Sequence, residues 1–348
     1  MPISALDAVT PAFQHAKQQL LQPFRMGQWA KLALVGFLAG ELGSGGCSFR
    51  RGLGMPNGGT GHFPGLPSLS PLLFAGVISL IIVSASVIGL ILLWLSSVMR
   101  FILFDSIIAR RCDIGIGWSR RQRSGFQYFV WQILFTLAVL LGMGVLLGIP
   151  AGAGFALGWF DQPRQHLVPL VLGGIVFFFV FIAFLLISIV VKVFTKDFVV
   201  PQMAVEGISA FEGWRRLWEM MKTERSSYAG YLGLKILMAI GAAVILGIIT
   251  AMVILLLLIP VGGVGIMALL LGHSAGLTWN LYTITLSIVV GLIVLAVILY
   301  LASLINVPAI VFFPAYAIYF FASRYPPLNA LVYPAPPLPA PGASLLSP

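Results

Sequence analysis

Ten carboxylates make up the whole acidic inventory of this 348-residue chain, so acid–base chemistry has few residues to draw on. Catalysis by paired acids needs two of them to converge in a cleft. Glu206, Glu212, Glu219 and Glu224 fall in or beside one charged segment, where a solvated face is the expected role. Asp197 stands apart, following Lys196 and preceding Pro201 at the end of a long apolar run. A carboxylate there is expected to cap the next helix or to pair with Lys192, Lys196 or an arginine of the charged segment. A proton or ion site is the alternative. Ionisable side chains within apolar runs are the usual mark of transport. Lys31 and Lys235 are expected to lie close enough to the inner surface to extend to it, and Glu41 to lie near the outer surface. None is then placed at mid-depth. Asn306, before Pro308, reads as a helix cap rather than a polar break.

Other chemistries have weaker material. The histidines at 15, 62, 166 and 273 are scattered, and none stands at ligand spacing from a cysteine or another histidine. Only His166 and His273 are placed to approach each other, outside the membrane. No phosphate-binding Gly-x-x-x-x-Gly-Lys-Ser/Thr loop and no Gly-x-Ser-x-Gly elbow occurs. The sequence therefore assigns no catalytic residue, no cofactor and no metal. Cys47 and Cys112 are too few for a disulfide framework, and the topology below separates them across the membrane. Ser44-Gly45-Gly46-Cys47 partly matches a lipoprotein cleavage site, but Ser44 occupies the position where a leucine is wanted. Residues 1–12 lack the basic start and apolar core of a secretory signal.

The elements that must position these residues follow from composition. Hydrophobic residues are 59% of the chain and charged residues 9%, with a mean hydropathy of +1.03. A soluble domain carries about 25% charged residues, so lipid must solvate most of this surface. The formal net charge of +10 is concentrated between apolar runs, which points to anionic lipid headgroups rather than nucleic acid.

A hydrocarbon core of about 30 Å needs about 20 apolar residues per helix. Six segments qualify, at approximately 28–46, 70–99, 125–149, 167–193, 228–258 and 281–306. Of the 20 basic residues, only Arg50, Arg51 and Arg164 fall on one side of the resulting topology. The positive-inside rule then places both termini in the cytoplasm, as expected for a multi-pass protein of a prokaryotic cytoplasmic membrane. Trp29, Trp118, Trp214 and Trp218 mark the inner boundary, and Trp159 and Trp279 the outer one.

The fold class expected is all-α and integral to the membrane, with residues 1–325 as a polytopic domain. Similar strings around Pro150 and Pro260, and around Pro201 and Pro314, suggest three hairpins formed by spans 1–2, 3–4 and 5–6. Glycines 144, 148 and 152, and again 154 and 158, repeat at four-residue spacing and predict close helix packing. Residues 205–225 predict an amphipathic helix, with Ile208, Phe211, Trp214, Leu217, Trp218 and Met221 as its apolar stripe. Ser209 and Glu212 read as its capping box. That helix is expected in the inner interface or packed beneath the bundle. A second amphipathic segment is expected near the N-terminus, capped by Thr10, with Phe13, Leu20 and Phe24 as its contacts. Asp113–Gly117 predicts a bent connection. Residues 326–348 read as a polyproline tail.

The string Lys196-Asp197-Phe198-Val199-Val200-Pro201-Gln202-Met203, followed by Glu212-Gly213-Trp214-Arg215-Arg216, resembles a set of uncharacterised prokaryotic membrane proteins. These are distantly similar to the membrane domain attached to some glycerophosphodiester phosphodiesterases. The resemblance covers residues 1–325 and implies no activity, because no soluble catalytic barrel accompanies it. The function expected is non-enzymatic: a scaffold, assembly factor or accessory subunit of a membrane complex. The alternative is a transporter or lipid-handling protein. Expected partners are membrane lipids, with anionic headgroups on the cytoplasmic side, and other membrane-protein subunits.

Overall fold

The computed structural model describes residues 3–22, 24–41, 71–159, 166–274 and 281–334, and every element among them is helical. In chain order these are α1 (Val9–Leu21), α2 (Met26–Leu38), α3 (Pro71–Ile108), α4 (Ile114–Ala156) and α5 (Leu167–Phe194). A π-helical turn, Thr195–Val199, leads into α6 (Val200–Glu206), followed by α7 (Ala210–Thr223), α8 (Arg225–Ser274), α9 (Leu281–Ala322) and α10 (Pro326–Val332).

Five helical stretches are long and apolar enough to cross a membrane, within α3, α4, α5 with its extension, α8 and α9. Their best windows have mean hydropathies between 2.4 and 3.2. The segment expected as span one forms only the 13-residue α2, which at 1.5 Å per residue covers about 20 Å. Residues 42–46 of that expected span lie outside the described residues. Gly40 follows in the left-handed region at φ 76°, and the turn carries Glu41 into the protein.

Burial is concentrated at one end of the long helices. The C-terminal part of α3, the first turns of α4, the π-helical turn, the start of α8 and the end of α9 share one core with α1, α2, α6 and α7. Phe198 sits at its centre, its ring 5.3 Å from Tyr228, 5.0 Å from Tyr231 and 5.3 Å from Phe321. Arg121 clamps Asp105 through two hydrogen bonds of 2.7 and 2.6 Å and also donates to Ala204 O. Arg324 donates to Ile3 O at 3.1 Å, so the described head and tail of the chain meet in this base.

Beyond the base the apolar side chains face outward. No described helix packs along α5, which touches α4 where Phe184 would meet a Cβ at Gly142. The expected 3–4 hairpin is thus not packed along its length; among the five long helices the close pairs are α3 with α4 and α8 with α9. The glycine expectation changes with it. A Cβ at Gly144, Gly148 or Gly152 would meet nothing within 4 Å. The glycines that admit close approach are others: Gly125 lies against Val98, where a Cβ would stand 3.0 Å from the backbone Cα. Gly36 similarly faces Ile310 and Gly117 faces Ile102.

Local corrections have local causes. The bend expected at 113–117 falls earlier, at Arg110, whose φ of 53° breaks the helix; Ile114–Gly117 already belong to α4. Thr10 does not cap α1, which begins behind a Ser4–Asp7 turn. Its buried face is Ala12, His15, Ala16, Gln19 and Leu20, while Phe13 and Phe24 point outward. Ser209 does cap α7, accepting the Glu212 N–H at 3.3 Å. Leu217 is buried there and Trp214 half-buried, whereas Phe211 and Trp218 are exposed. Pro326 and Pro327 open the short helix α10 rather than a polyproline segment, since a proline in the first turn leaves no intrahelical bond unmade. Residues 335–348 of the expected tail lie outside the described residues.

Helix α9 continues through Pro308 and Pro314. A proline lacks the N–H that would bond the carbonyl four residues back, which for Pro308 is Leu304 O. Trp29 of α2 supplies the missing donor, its Nε1 lying 3.0 Å from that oxygen.

Candidate functional site

Five charged side chains from four segments gather within the base. The π-helical turn widens the backbone, Val200 N–H reaching Thr195 O five residues back. The consecutive residues Lys196 and Asp197 then both engage buried partners. Lys196 donates to Glu41. Asp197 accepts from Lys235 of α8 and, at 3.0 Å, from the Tyr231 hydroxyl. Arg100 of α3 donates to Ala39 O at 2.6 Å and to the Tyr128 hydroxyl at 3.1 Å. A cation thus satisfies one of the carbonyls left open at the end of α2.

Glu41, Asp197, Lys235 and Arg100 are all buried. Separating either carboxylate from its lysine would strand a charge in the interior, at a cost of about 3–5 kcal/mol. Three cations face two carboxylates, and Arg100 keeps one buried Nε without a partner. A cavity of about 30 Å³ lies between Glu41, Arg100, Lys196, Asp197 and Pro314, enough for roughly two water molecules. The arrangement can fasten α2, α3, α8 and the end of α5 together, and it can hold water beside ionisable groups.

The expected residues are redistributed accordingly. Asp197 pairs with Lys235, not with Lys192, Lys196 or an arginine of α7. Lys235 does not extend to the surface but is buried against Asp197; Lys31 is exposed. Glu41 does not stand apart near an outer surface, because it shares the base with Lys196 and Arg100. Asn306 caps nothing, since α9 runs on past it; its side chain donates to Ala302 O within the helix. Arg100, Tyr128 and Tyr231 escaped notice. The apolar residues Phe101-Ile102-Leu103-Phe104 directly after Arg100 were the available signal that the helix continues past residue 99.

The outer face of the base is conventional. Glu212 bonds Arg216 at 3.0 Å and Arg215 at 2.9 Å, and Glu219 bonds Lys222 at 3.0 Å. The two arginines hold the Glu212 carboxyl below the usual range, Arg216 most strongly. Glu206 accepts from Arg216 and from the Tyr325 hydroxyl, and Glu224 from Arg324. Burial, then the bond to Glu206, pushes the Tyr325 hydroxyl up. Burial also raises the Cys112 thiol, and Cys47 lies outside the described residues. His15 bridges Ile107 O at 2.9 Å and the Tyr319 hydroxyl at 3.1 Å. His166 lies beside the Trp159 ring, while His62 and the His273 side chain lie outside the described residues. Among the described residues no three histidines, cysteines or acids gather as metal ligands do.

No curated protein and no solved structure matches the chain. Nothing links it to the membrane domains of glycerophosphodiester phosphodiesterases, as the resemblance implied. A model of the family of unknown function DUF7544 matches residues 3–331, nearly the whole length, and the protein belongs to that family.

Proposed function

We propose that this protein is a non-enzymatic scaffold or accessory subunit of a membrane complex, a rigid base that presents long apolar helices to other membrane helices. The observation that carries the reading is α5, a 28-residue apolar helix with no described helix packed along it. The open glycine face of α4 at Gly144, Gly148 and Gly152 adds to it. Small residues at four-residue spacing suit close helix association, and among the described residues that face has nothing to meet. The charged layer supports the same reading, because its two carboxylates are already bonded to lysines and so serve cohesion. A photo-crosslinking residue placed at Gly148 or Phe178 in native membranes should yield a discrete protein adduct of reproducible mass. Lipid adducts alone would overturn the reading.

The base faces the cytoplasm in this proposal, with Phe211 and Trp218 of α7 at the inner interface of a prokaryotic cytoplasmic membrane. Head and tail lie on the same side in this proposal, which the bond from Arg324 to Ile3 O supports. Ser4→Cys and Leu331→Cys should both resist an impermeant maleimide in intact cells. Labelling of one and not the other would refute this topology.

A second reading, transport or lipid handling, rests on the cavity beside the charge pairs and Pro314. Passage of an ion there requires that Glu41→Gln alter uptake in reconstituted vesicles. If that variant leaves all fluxes unchanged, this reading falls.

A further inference from the structure

On the polar flank of the base, α1, the start of α2 and the turn after α3 enclose a cleft of about 450 Å³, lined by three arginines and four glutamines. No carboxylate lines it. Asp113 stands outside, 3.6 Å from Arg111 across an exposed pair.

The cleft is built rather than incidental. Arg110 is held in the left-handed region at φ 53°, a conformation that costs a non-glycine residue of order 1–3 kcal/mol and persists only when surrounding contacts fix it. Those contacts are its carbonyl, which accepts from Gln28 at 2.9 Å, and its guanidinium, which donates to Gln18 at 3.0 Å. Gln19 is 5% exposed. Its amide nitrogen donates to Ser106 O at 3.0 Å, while its amide oxygen meets no donor in good geometry, the neighbouring His15 Nε2 being directed to Ile107 O at 2.9 Å. An orphaned buried acceptor asks for a hydroxyl or N–H from a ligand. Leu21, Phe24 and Met26, adjacent in sequence to the lining residues Gln22 and Arg25, are all more than half exposed.

An acid-free arginine cluster selects a phosphate, the glutamine oxygen selects a hydroxyl, and the apolar rim suits an acyl chain. We propose that this cleft binds the phosphodiester headgroup of an anionic, hydroxyl-bearing phospholipid, with Arg25, Arg110 and Arg111 on the phosphate and Gln19 on a headgroup hydroxyl. The site is independent of the scaffold reading and stands whether or not the protein has a protein partner.

Phosphatidylglycerol carries both features, phosphatidic acid lacks the headgroup hydroxyls, and phosphatidylcholine lacks both the hydroxyls and the net charge. Titration of the full-length protein in detergent, read by native mass spectrometry, should show phosphatidylglycerol bound ahead of the other two. Arg25→Gln/Arg111→Gln removes two exposed side chains, so the fold is retained. At about 1 kcal/mol per arginine, this variant should weaken the preference over phosphatidylcholine about 30-fold. Gln19→Leu should abolish the preference over phosphatidic acid while leaving charge selectivity intact. Equal retention of the three lipids by the wild type, or an undiminished preference in the double-arginine variant, would overturn the proposal. So would binding of glycerol 3-phosphate as tight as that of the lipid, which would make the occupant a soluble phosphate.

Discussion

The indole of Trp29 and the carbonyl of Leu304 form a hydrogen bond that exists because of a third residue. Pro308 deprives Leu304 O of its helical donor, and an aromatic side chain 275 positions away in sequence replaces it. The bond joins α2 to the middle of α9 at the point where α9 is weakest. Trp29→Phe keeps an aromatic ring and removes only the donor and part of the volume. It should cost about 1–3 kcal/mol, the penalty for a buried polar group left unmet. In a Pro308→Ala background the backbone N–H returns, and Trp29→Phe should then cost measurably less. Unfolding in mixed micelles gives the four stabilities; additive losses would show that the two sites are uncoupled.

Lys235 and Asp197 make a sharper case. Lys235→Met strands a buried carboxylate and should lower stability by about 3–5 kcal/mol. Adding Asp197→Asn removes the stranded charge, so the double variant should recover most of that loss. Thermal unfolding in detergent distinguishes the outcomes, and a single variant that melts with the wild type would mean the pair does not hold α8 in place.

Two glycines should respond in opposite directions. Gly125→Ala drives a methyl into Val98, including its backbone, and overpacking of this kind costs about 1–3 kcal/mol. Gly144→Ala enters open space within a helix, where the gain in helix propensity is up to about 1 kcal/mol. If the two substitutions shift the melting temperature alike, the packing of α3 on α4 described above is wrong.

His15 should make stability depend on pH. Ile107 O can only accept, so Nε2 carries the proton and Nδ1 accepts from Tyr319; the assignment follows from the partners. Burial first, and nearby Arg110 second, lower its pKa from the ordinary 6.5. The folded state therefore disfavours a proton that the unfolded chain accepts. This stabilisation is complete above about pH 6.5 and is lost as the pH falls through the lower folded value. Melting curves from pH 7.5 to 5 should decline for the wild type and decline less for His15→Gln. Parallel curves would remove His15 as the cause.

Helical class, the presence of helices long and apolar enough to cross a membrane, and most helix positions were legible because they depend on local composition: a 20-residue apolar run admits few alternatives. The capping box at Ser209 was legible for the same reason, since its partner Glu212 lies three residues away. What escaped depends on distant pairing. Nothing near Lys235 announces Asp197, and nothing near Glu41 announces Lys196, 155 residues away. The glycine repeats of α4 were visible but their use was not, because spacing shows that a face is smooth and not whether anything in the same chain meets it. The short α2 was misread because Gly40 and Glu41 turn the chain inward, a choice made by contacts with α3 and the π-helical turn.

The junction of α1 and α9 also sets a timetable. His15 finds Tyr319 only when a segment 304 residues downstream has been made. At about 5–20 residues per second, the opening helix must wait roughly 15–60 s at the ribosome exit before its partner appears. A chain interrupted before residue 319 would hold that helix only by its bonds to Ser106 and Ile107, leaving its other face bare as a mark of an unfinished product.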